Sequence, residues 1–314
     1  MATTTGIYWC LILTGCISLA VSASLVQTVP PNSTHVCPGD RLVLTCTTDN
    51  PGIDSLLWRG DSGTERAIKK KGNPITVDSY NIIAASVDGV TVSTATNESV
   101  PVQLNGTMIG CSDDIGNTFT TIIINVTDIP EAVTNITIDL INNNGLLIIW
   151  DTPSDPCTDH YNVTINSNNT LNESRTTNNT NITINDLIIG TNYSFIIIPI
   201  DTIGREGPPS SLIQYIWNVP AQVVNISWDQ ISTDTITIWW NNTEDYSTIP
   251  VPPIQYYIIT VYNTSNSIIY TNNTNDTNIT ITGLPLTDTN YTVTIIPVNV
   301  IGYGPSATVN GINS

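Results

Sequence analysis

The sequence predicts an all-β protein in which tandem antiparallel β-sandwiches follow a signal peptide. Short runs of alternating apolar and polar residues are separated by Asn, Gly, Pro and Asp, and one block recurs about 95 residues later. No stretch beyond the leader shows an apolar period of 3.6 residues, which argues against an α/β enzyme fold. The length of 314 residues alone predicts two or three domains of about 100 to 150 residues each.

The first 23 residues are predicted to be a targeting segment. Residues 7–21 form an apolar run, IYWCLILTGCISLAV, and Val21-Ser22-Ala23 supplies the small residues of a cleavage site. A short buried helix is the alternative. No later run approaches the roughly 20 apolar residues of a membrane span, so we expect a secreted, extracellular chain without a membrane span in an oxidising compartment.

Charge and histidine content narrow the function classes. The net charge is −18, with 8 basic and 26 acidic residues, which argues against binding to nucleic acid. His35 and His160 are the only histidines, and neither a nucleophile motif nor a phosphate-binding loop occurs. We therefore expect a non-enzymatic protein with no catalytic residues, no metal and no cofactor.

Asn-X-Ser/Thr acceptors are frequent, and we count eighteen. A chain rich in Asn and Thr also produces such triplets by chance. The candidates for glycosylation are Asn32, Asn97, Asn105, Asn125, Asn135, Asn162, Asn192, Asn225, Asn241, Asn263 and Asn290.

An internal repeat organises the second part of the chain. The first copy contains IIWDTP, YNVTI, a Leu-to-Tyr stretch and PIDTIGREGP, with Trp150, Tyr161, Leu187 and Tyr193 at its marker positions. The second copy contains ITIWW, YIITV, a similar Leu-to-Tyr stretch and PVNVIGYGP, with Trp240, Tyr257, Leu284 and Tyr291. The offset grows from 90 residues at the Trp pair to 98 at the later Tyr pair, as loop insertions between shared strands would produce.

Both copies resemble fibronectin type III domains, which we assign to residues 128–218 and 219–314. The resemblance implies that Trp150 and Trp240 pack between the two sheets of their domains. It also implies that the hydroxyl groups of Tyr193 and Tyr291 hydrogen-bond to backbone upstream.

Residues 24–127 resemble an immunoglobulin domain through the spacing of Cys46, Trp58 and Cys111. The resemblance implies a Cys46–Cys111 disulfide between the sheets, with Trp58 packed on it. Ile109 stands where the family usually has Tyr, so we expect the corner hydrogen bond to be absent.

Cys37 and Cys157 then remain. A bridge between them is one alternative, and unpaired thiols or pairing between chains are the ones we favour. Pairing between chains would give a disulfide-linked dimer through Cys37 or Cys157.

Residues 59–71 contain two candidate recognition features. Arg59-Gly60-Asp61 resembles the tripeptide read by integrins, in which Arg meets acidic receptor groups and Asp completes the shell of a receptor-held cation. Five of the eight basic residues also lie in this segment, and such a strip fits an anionic glycan or an acidic partner. Chance occurrence of the tripeptide and a solvated strand edge are the plainer explanations.

We therefore expect an adhesion or recognition protein that binds an extracellular protein or glycan, such as an integrin-type receptor, through loops and edges. The alternative is the ectodomain of a truncated or spliced membrane receptor of the kinase, phosphatase or adhesion type. The order of an immunoglobulin domain before fibronectin type III domains resembles the layout of such receptors.

Overall fold

The computed structural model describes residues 23–31, 35–48, 50–113, 118–141, 145–168, 172–243, 248–284 and 290–312. The described chain is all-β, as predicted, and its one helical element is a short 3₁₀ turn. It divides into two compact units, Met1–Asp128 and Ile129–Ser314. Apart from Ala23, the predicted signal peptide lies outside the described residues, as does Asn32.

Within the described ranges, no helix has the length and apolar character that a membrane crossing requires.

The first unit is a sandwich of two antiparallel sheets, ordered β1-β2-β7-β6-β5 and β4-β3-β8-β9. A 3₁₀ turn at Val102–Leu104 precedes β8. The strands are β1 (Ser24–Val29), β2 (Leu42–Thr47), β3 (Ser55–Arg59), β4 (Glu65–Lys69), β5 (Ile75–Val77), β6 (Tyr80–Val87), β7 (Val90–Asn97), β8 (Met108–Ser112) and β9 (Thr120–Ile123).

The core of the first unit lies between these two sheets. Leu44, Cys46 and Trp58 are completely buried there, and the same core cluster contains Ile82 of the first sheet and Ile109 of the second. Alternation along the strands places these side chains on the inner faces of the two sheets.

The second unit contains two sandwiches with the same strand order. In the first, a three-stranded sheet β10-β11-β14 faces a four-stranded sheet β13-β12-β15-β16. Its strands are β10 (Thr134–Ile141), β11 (Gly145–Asp151), β12 (Thr158–Ser167), β13 (Asn172–Thr177), β14 (Asn181–Asn185), β15 (Thr191–Asp201) and β16 (Ile213–Trp217).

The second sandwich repeats this arrangement with sheets β17-β18-β21 and β20-β19-β22-β23. Its strands are β17 (Val224–Ser232), β18 (Thr235–Asn241), β19 (Tyr256–Tyr262), β20 (Ile268–Thr274), β21 (Asn278–Ile281), β22 (Tyr291–Val298) and β23 (Ala307–Ile312). The sequence repeat is thus a repeat of topology, and the prediction of tandem antiparallel β-sandwiches is confirmed.

In both sandwiches of the second unit, side chains alternate along each strand between the core and the outer face of the sheet. Ile236, Ile238 and Trp240 are at most 2% exposed in β18, whereas the intervening Thr237 and Trp239 are 9% and 37% exposed. Burial of alternate residues is the pattern expected of a sheet with one face toward the core.

Candidate recognition surface

Strand β4 is the outer strand of the sheet β4-β3-β8-β9, and it carries much of the basic cluster. Arg66 and Lys69 are exposed, while Ile68 between them is buried and anchors the strand to the core. Lys70 follows β4, and its Nζ donates to the carbonyl oxygen of Gly89 at 3.0 Å. An edge strand has backbone groups free to meet another chain, and basic side chains there select an acidic one.

The turn between β3 and β4 carries the Arg59-Gly60-Asp61 tripeptide. Gly60 N donates to Thr64 O at 3.0 Å, and Gly63 N donates to Gly60 O at 3.1 Å, which closes the turn. Gly63 has a φ of +80°, a left-handed conformation that favours glycine. Asp61 is exposed on this turn, whereas Gly60 is buried.

The carboxylate of Asp78, in the turn between β5 and β6 of the other sheet, accepts hydrogen bonds from this turn. Ser62 donates through both its backbone N and its hydroxyl to Asp78. A Cβ built on Gly60 would lie 2.2 Å from Asp78 Oδ2. A side chain at position 60 would therefore force the Asp78 carboxylate to move, so glycine here is explained by the close approach of Asp78 without any receptor.

Both charged residues of the tripeptide have partners within the first unit. Arg59 Nε donates to Glu65 Oε1 at 2.6 Å, and its guanidinium carbon lies 4.3 Å from the centroid of the Phe119 ring. Asp61 Oδ1 accepts a hydrogen bond from Met108 N at 3.0 Å. An integrin-type ligand presents both charges to its receptor, so such binding would have to replace these contacts.

The Cys46–Cys111 disulfide joins the two sheets of the first unit, with its Cα atoms 6.4 Å apart. Trp58 is completely buried in the same core cluster, and Ile109 is buried where a corner tyrosine would stand. An apolar side chain thus fills that position.

Cys37 and Cys157 are each disulfide-bonded. The expectation of unpaired thiols at these positions is therefore wrong. Cys157 is also completely buried. A disulfide from either cysteine to a second chain would require exchange of an existing disulfide. The disulfide-linked dimer through Cys37 or Cys157 stays a prediction.

The marker residues of the two repeats occupy matching places. Trp150 packs edge-on against Tyr161 with ring centroids 5.2 Å apart, and Trp240 packs in the same way against Tyr257 at 5.1 Å. The Tyr193 hydroxyl accepts a hydrogen bond from Ile188 N at 2.9 Å. Tyr291 is buried, but most of the preceding corner, residues 285–289, lies outside the described residues.

The glycosylation candidates differ in exposure. Exposed side chains belong to Asn105, Asn125, Asn135, Asn225, Asn241 and Asn290, and half-buried ones to Asn162, Asn192 and Asn263. Asn97 is only 6% exposed, and its Nδ2 donates to both the carbonyl and the hydroxyl oxygen of Ser79. A glycan would replace one of the two hydrogens on that nitrogen and would need space in a buried site, so Asn97 fits the structure better as a buried structural residue.

Sequence reasoning missed the side chain that closes the junction between the two sandwiches of the second unit. Asn299 is buried, and its Nδ2 donates to Asn218 O at 2.9 Å and to Pro252 O at 3.2 Å. Its Oδ1 accepts from the backbone nitrogens of Ile301 and Gly302. Asp201 stands at the matching position of the first copy, so the repeat itself does not predict the role of Asn299.

No cluster of His, Cys, Asp and Glu suitable for a metal ion occurs among the residues that the structure describes.

Comparison with known families identifies one of these sandwiches. The family model of the fibronectin type III domain matches residues 131–215. Residues 131–215 therefore match the fibronectin type III family, and they form one of the β-sandwiches of this chain. No curated protein matches the chain.

Several solved structures resemble the chain. The FN1–FN3 domains of chicken CNTN1 are 14% identical, cover 93% of this chain and 98% of their own, and give a TM-score of 0.30. A two-domain fibronectin type III segment of chicken tenascin is 17% identical, with coverages of 58% and 98% and a TM-score of 0.28. A structure described as a myokine is 19% identical, with coverages of 28% and 96% and a TM-score of 0.26.

Proposed function

We propose that the protein is a non-enzymatic extracellular recognition protein that binds a cell-surface or matrix partner through loops and edge strands of its sandwiches. The observation that carries this proposal is the basic edge formed by Arg66 and Lys69 of β4 with Lys70 and Lys71 beyond it. Residues 128–314 carry a net charge of −14, so this edge is a local exception in an acidic chain. An exposed positive edge attracts an acidic partner, whereas the rest of the chain repels one.

Charge reversal on β4 tests the proposal. The full chain, secreted from eukaryotic cells, is measured for binding to a panel of intact cells as Arg66→Glu and Lys69→Glu variants. Arg41→Glu is the matched control, because Arg41 is an exposed residue of the same unit that pairs with Glu98. We expect several-fold weaker binding for the β4 variants alone. Equal binding by all three variants would refute a role for the edge.

A narrower proposal concerns Arg59-Gly60-Asp61 as an integrin-type ligand. Its support is the exposure of Asp61 on the β3–β4 turn. Asp61→Glu keeps the negative charge but lengthens the side chain by one methylene group. This variant should abolish cell attachment of the kind that requires divalent cations. Asp54→Glu, at another exposed carboxylate of this unit, is the control. Undiminished cell attachment to the Asp61→Glu variant would contradict this proposal.

If the chain is instead part of a membrane receptor, that receptor would bind its partner through the same loops and edge strands. Sequencing of the transcript beyond the codon for Ser314, with an assay of the culture medium for the chain, separates the two. A stop codon and a secreted product favour the secreted protein, and an apolar span of about 20 residues would identify a receptor.

A further inference from the structure

The outer face of the sheet β17-β18-β21 exposes an aromatic side chain on its central strand. Trp239 of β18 is 37% exposed, whereas Trp58, Trp150, Trp217 and Trp240 are at most 2% exposed. An indole turned to solvent on a central strand leaves apolar area uncovered. A covering group from a neighbouring strand would remove this area from water.

Asn278 of β21 lies directly opposite Trp239. Trp240 N donates to Thr277 O at 3.0 Å, so the adjoining pair of Trp239 and Asn278 is a non-hydrogen-bonded pair, in which side chains come closer together. Asn278 is exposed and begins the acceptor triplet Asn278-Ile279-Thr280. Its side chain is therefore the cross-strand neighbour of the indole on the same exposed face.

The first sandwich of the second unit places an acceptor in the same position. Asn181 of β14 lies opposite Ile149 of β11, and Trp150 N donates to Thr180 O at 3.0 Å. Asn181-Ile182-Thr183 is again an acceptor triplet. The two sandwiches thus differ in the residue that faces the acceptor: aliphatic in the first and aromatic in the second.

We propose that Asn278 carries an N-linked glycan whose first N-acetylglucosamine stacks on the indole of Trp239. A bond forms between Asn278 Nδ2 and C1 of an oligosaccharide, Nδ2 loses one proton, and the bond from C1 to a lipid pyrophosphate donor breaks. The C–H groups on one face of the pyranose then meet the negative face of the indole. The inference rests on the extracellular location in the proposed function, since attachment takes place in the secretory pathway.

The test uses the full chain secreted with the signal peptide of another protein. Its outcome then does not depend on the native signal peptide or on a binding partner. Glycopeptide mass spectrometry measures occupancy of Asn278, and hydroxyl-radical footprinting measures oxidation of Trp239. The variants are Asn278→Gln, which removes the acceptor, and Thr280→Ser, which preserves it. Asn181→Gln is the matched control in the other sandwich.

We expect Asn278 to be occupied and Trp239 to resist oxidation in the wild-type, Thr280→Ser and Asn181→Gln proteins. Oxidation of Trp239 should rise several-fold in Asn278→Gln and after complete enzymatic removal of glycans from the folded protein. Trimming to a single N-acetylglucosamine should leave Trp239 protected, because that sugar makes the contact.

An unoccupied Asn278 would overturn the inference, as would equal oxidation of Trp239 with and without the glycan. Trp150 and Trp240 are internal standards for folding, because they are buried and should stay unoxidised in every sample. If the chain does not bind cells but Trp239 is protected from oxidation by the glycan, the proposed function is contradicted and this inference still holds.

Discussion

Trp58 differs from the core tryptophans of the two repeats in the partner of its indole nitrogen. Its Nε1 donates to Ser93 Oγ at 3.0 Å, and that hydroxyl donates to Ile83 O at 2.8 Å. The corresponding nitrogens of Trp150 and Trp240 are buried without a partner among the described residues. Ser93 therefore satisfies a buried donor in the first unit that stays unsatisfied in the other sandwiches.

Replacement of Ser93 by Ala should destabilise the first unit. The Trp58 donor would lose its acceptor in a completely buried site, which costs about 1–3 kcal/mol of unfolding free energy. A urea titration read by hydrogen exchange of β7 peptides measures the loss. Ser86→Ala, at an exposed position of β6, should change the free energy by less than about 0.5 kcal/mol, and an equal effect of both variants would contradict the account.

Tyr80 gives the first unit a pH dependence at the alkaline end. Burial, with a smaller contribution from the Asp78 charge, raises the pKa of Tyr80 to about 12. The folded protein then holds the phenol proton more tightly than the unfolded chain does. The resulting stability is fully present below about pH 10 and is lost as pH rises toward 12.

Tyr80→Phe tests this pH dependence. The Tyr80 hydroxyl is buried and has no hydrogen-bond partner among the described residues, so Phe should be close to neutral in effect at pH 8. Between pH 10 and 11, the first unit of the wild type should lose stability relative to the variant, as measured by urea unfolding. Parallel stability curves for the two proteins would contradict the role of Tyr80.

At the scale of elements, the first strands of the two sandwiches in the second unit, β10 and β17, each contain a β-bulge at the same place. Asn135 in β10 and Asn225 in β17 both have a φ of +51°, and pairing with the next strand shifts register at each of them. Asn tolerates this left-handed conformation better than most residues with a Cβ. The bulge lets each strand continue against its neighbour after an extra residue.

Asn225→Ala should therefore destabilise the second sandwich more than Asn225→Gly does. Ala in the left-handed region costs about 1 kcal/mol, whereas Gly adopts it freely. The measurement is urea unfolding of unglycosylated protein refolded under oxidising conditions, which removes any effect of a sugar at this acceptor. A larger loss for Gly than for Ala would show that the backbone conformation does not decide the outcome.

Alternation along the strands predicted much of the fold but little of the candidate site. Alternation in the sequence of β18 matches the burial of Ile236, Ile238 and Trp240, because burial on one face of a sheet follows a period of two residues. It did not indicate the contacts of Arg59 with Phe119 or of Asp61 with Met108, because these depend on how distant strands lie side by side. The basic segment was visible in the sequence, but its position on an edge strand came from sheet order.

At the scale of the whole molecule, Asn299 fixes the junction inside the second unit. Its amide bonds to Asn218 O of the linker and to Pro252 O of the second sandwich. Asn299→Ala should loosen this junction, seen as faster hydrogen exchange in peptides covering residues 216–222, with a loss of about 1–3 kcal/mol in unfolding free energy. Asn310→Ala, at an exposed residue of β23, is the control, and unchanged exchange in both variants would contradict the role of Asn299.

The central claim is that the basic edge of the first unit binds an acidic partner outside the cell. Equilibrium binding of the full secreted chain to intact cells, measured at increasing salt, tests it most directly. We predict saturable binding that weakens as salt screens the contact, with a shallower salt dependence for Lys69→Glu than for Arg41→Glu. Absence of saturable binding, or binding with the same salt dependence in both variants, would contradict the claim.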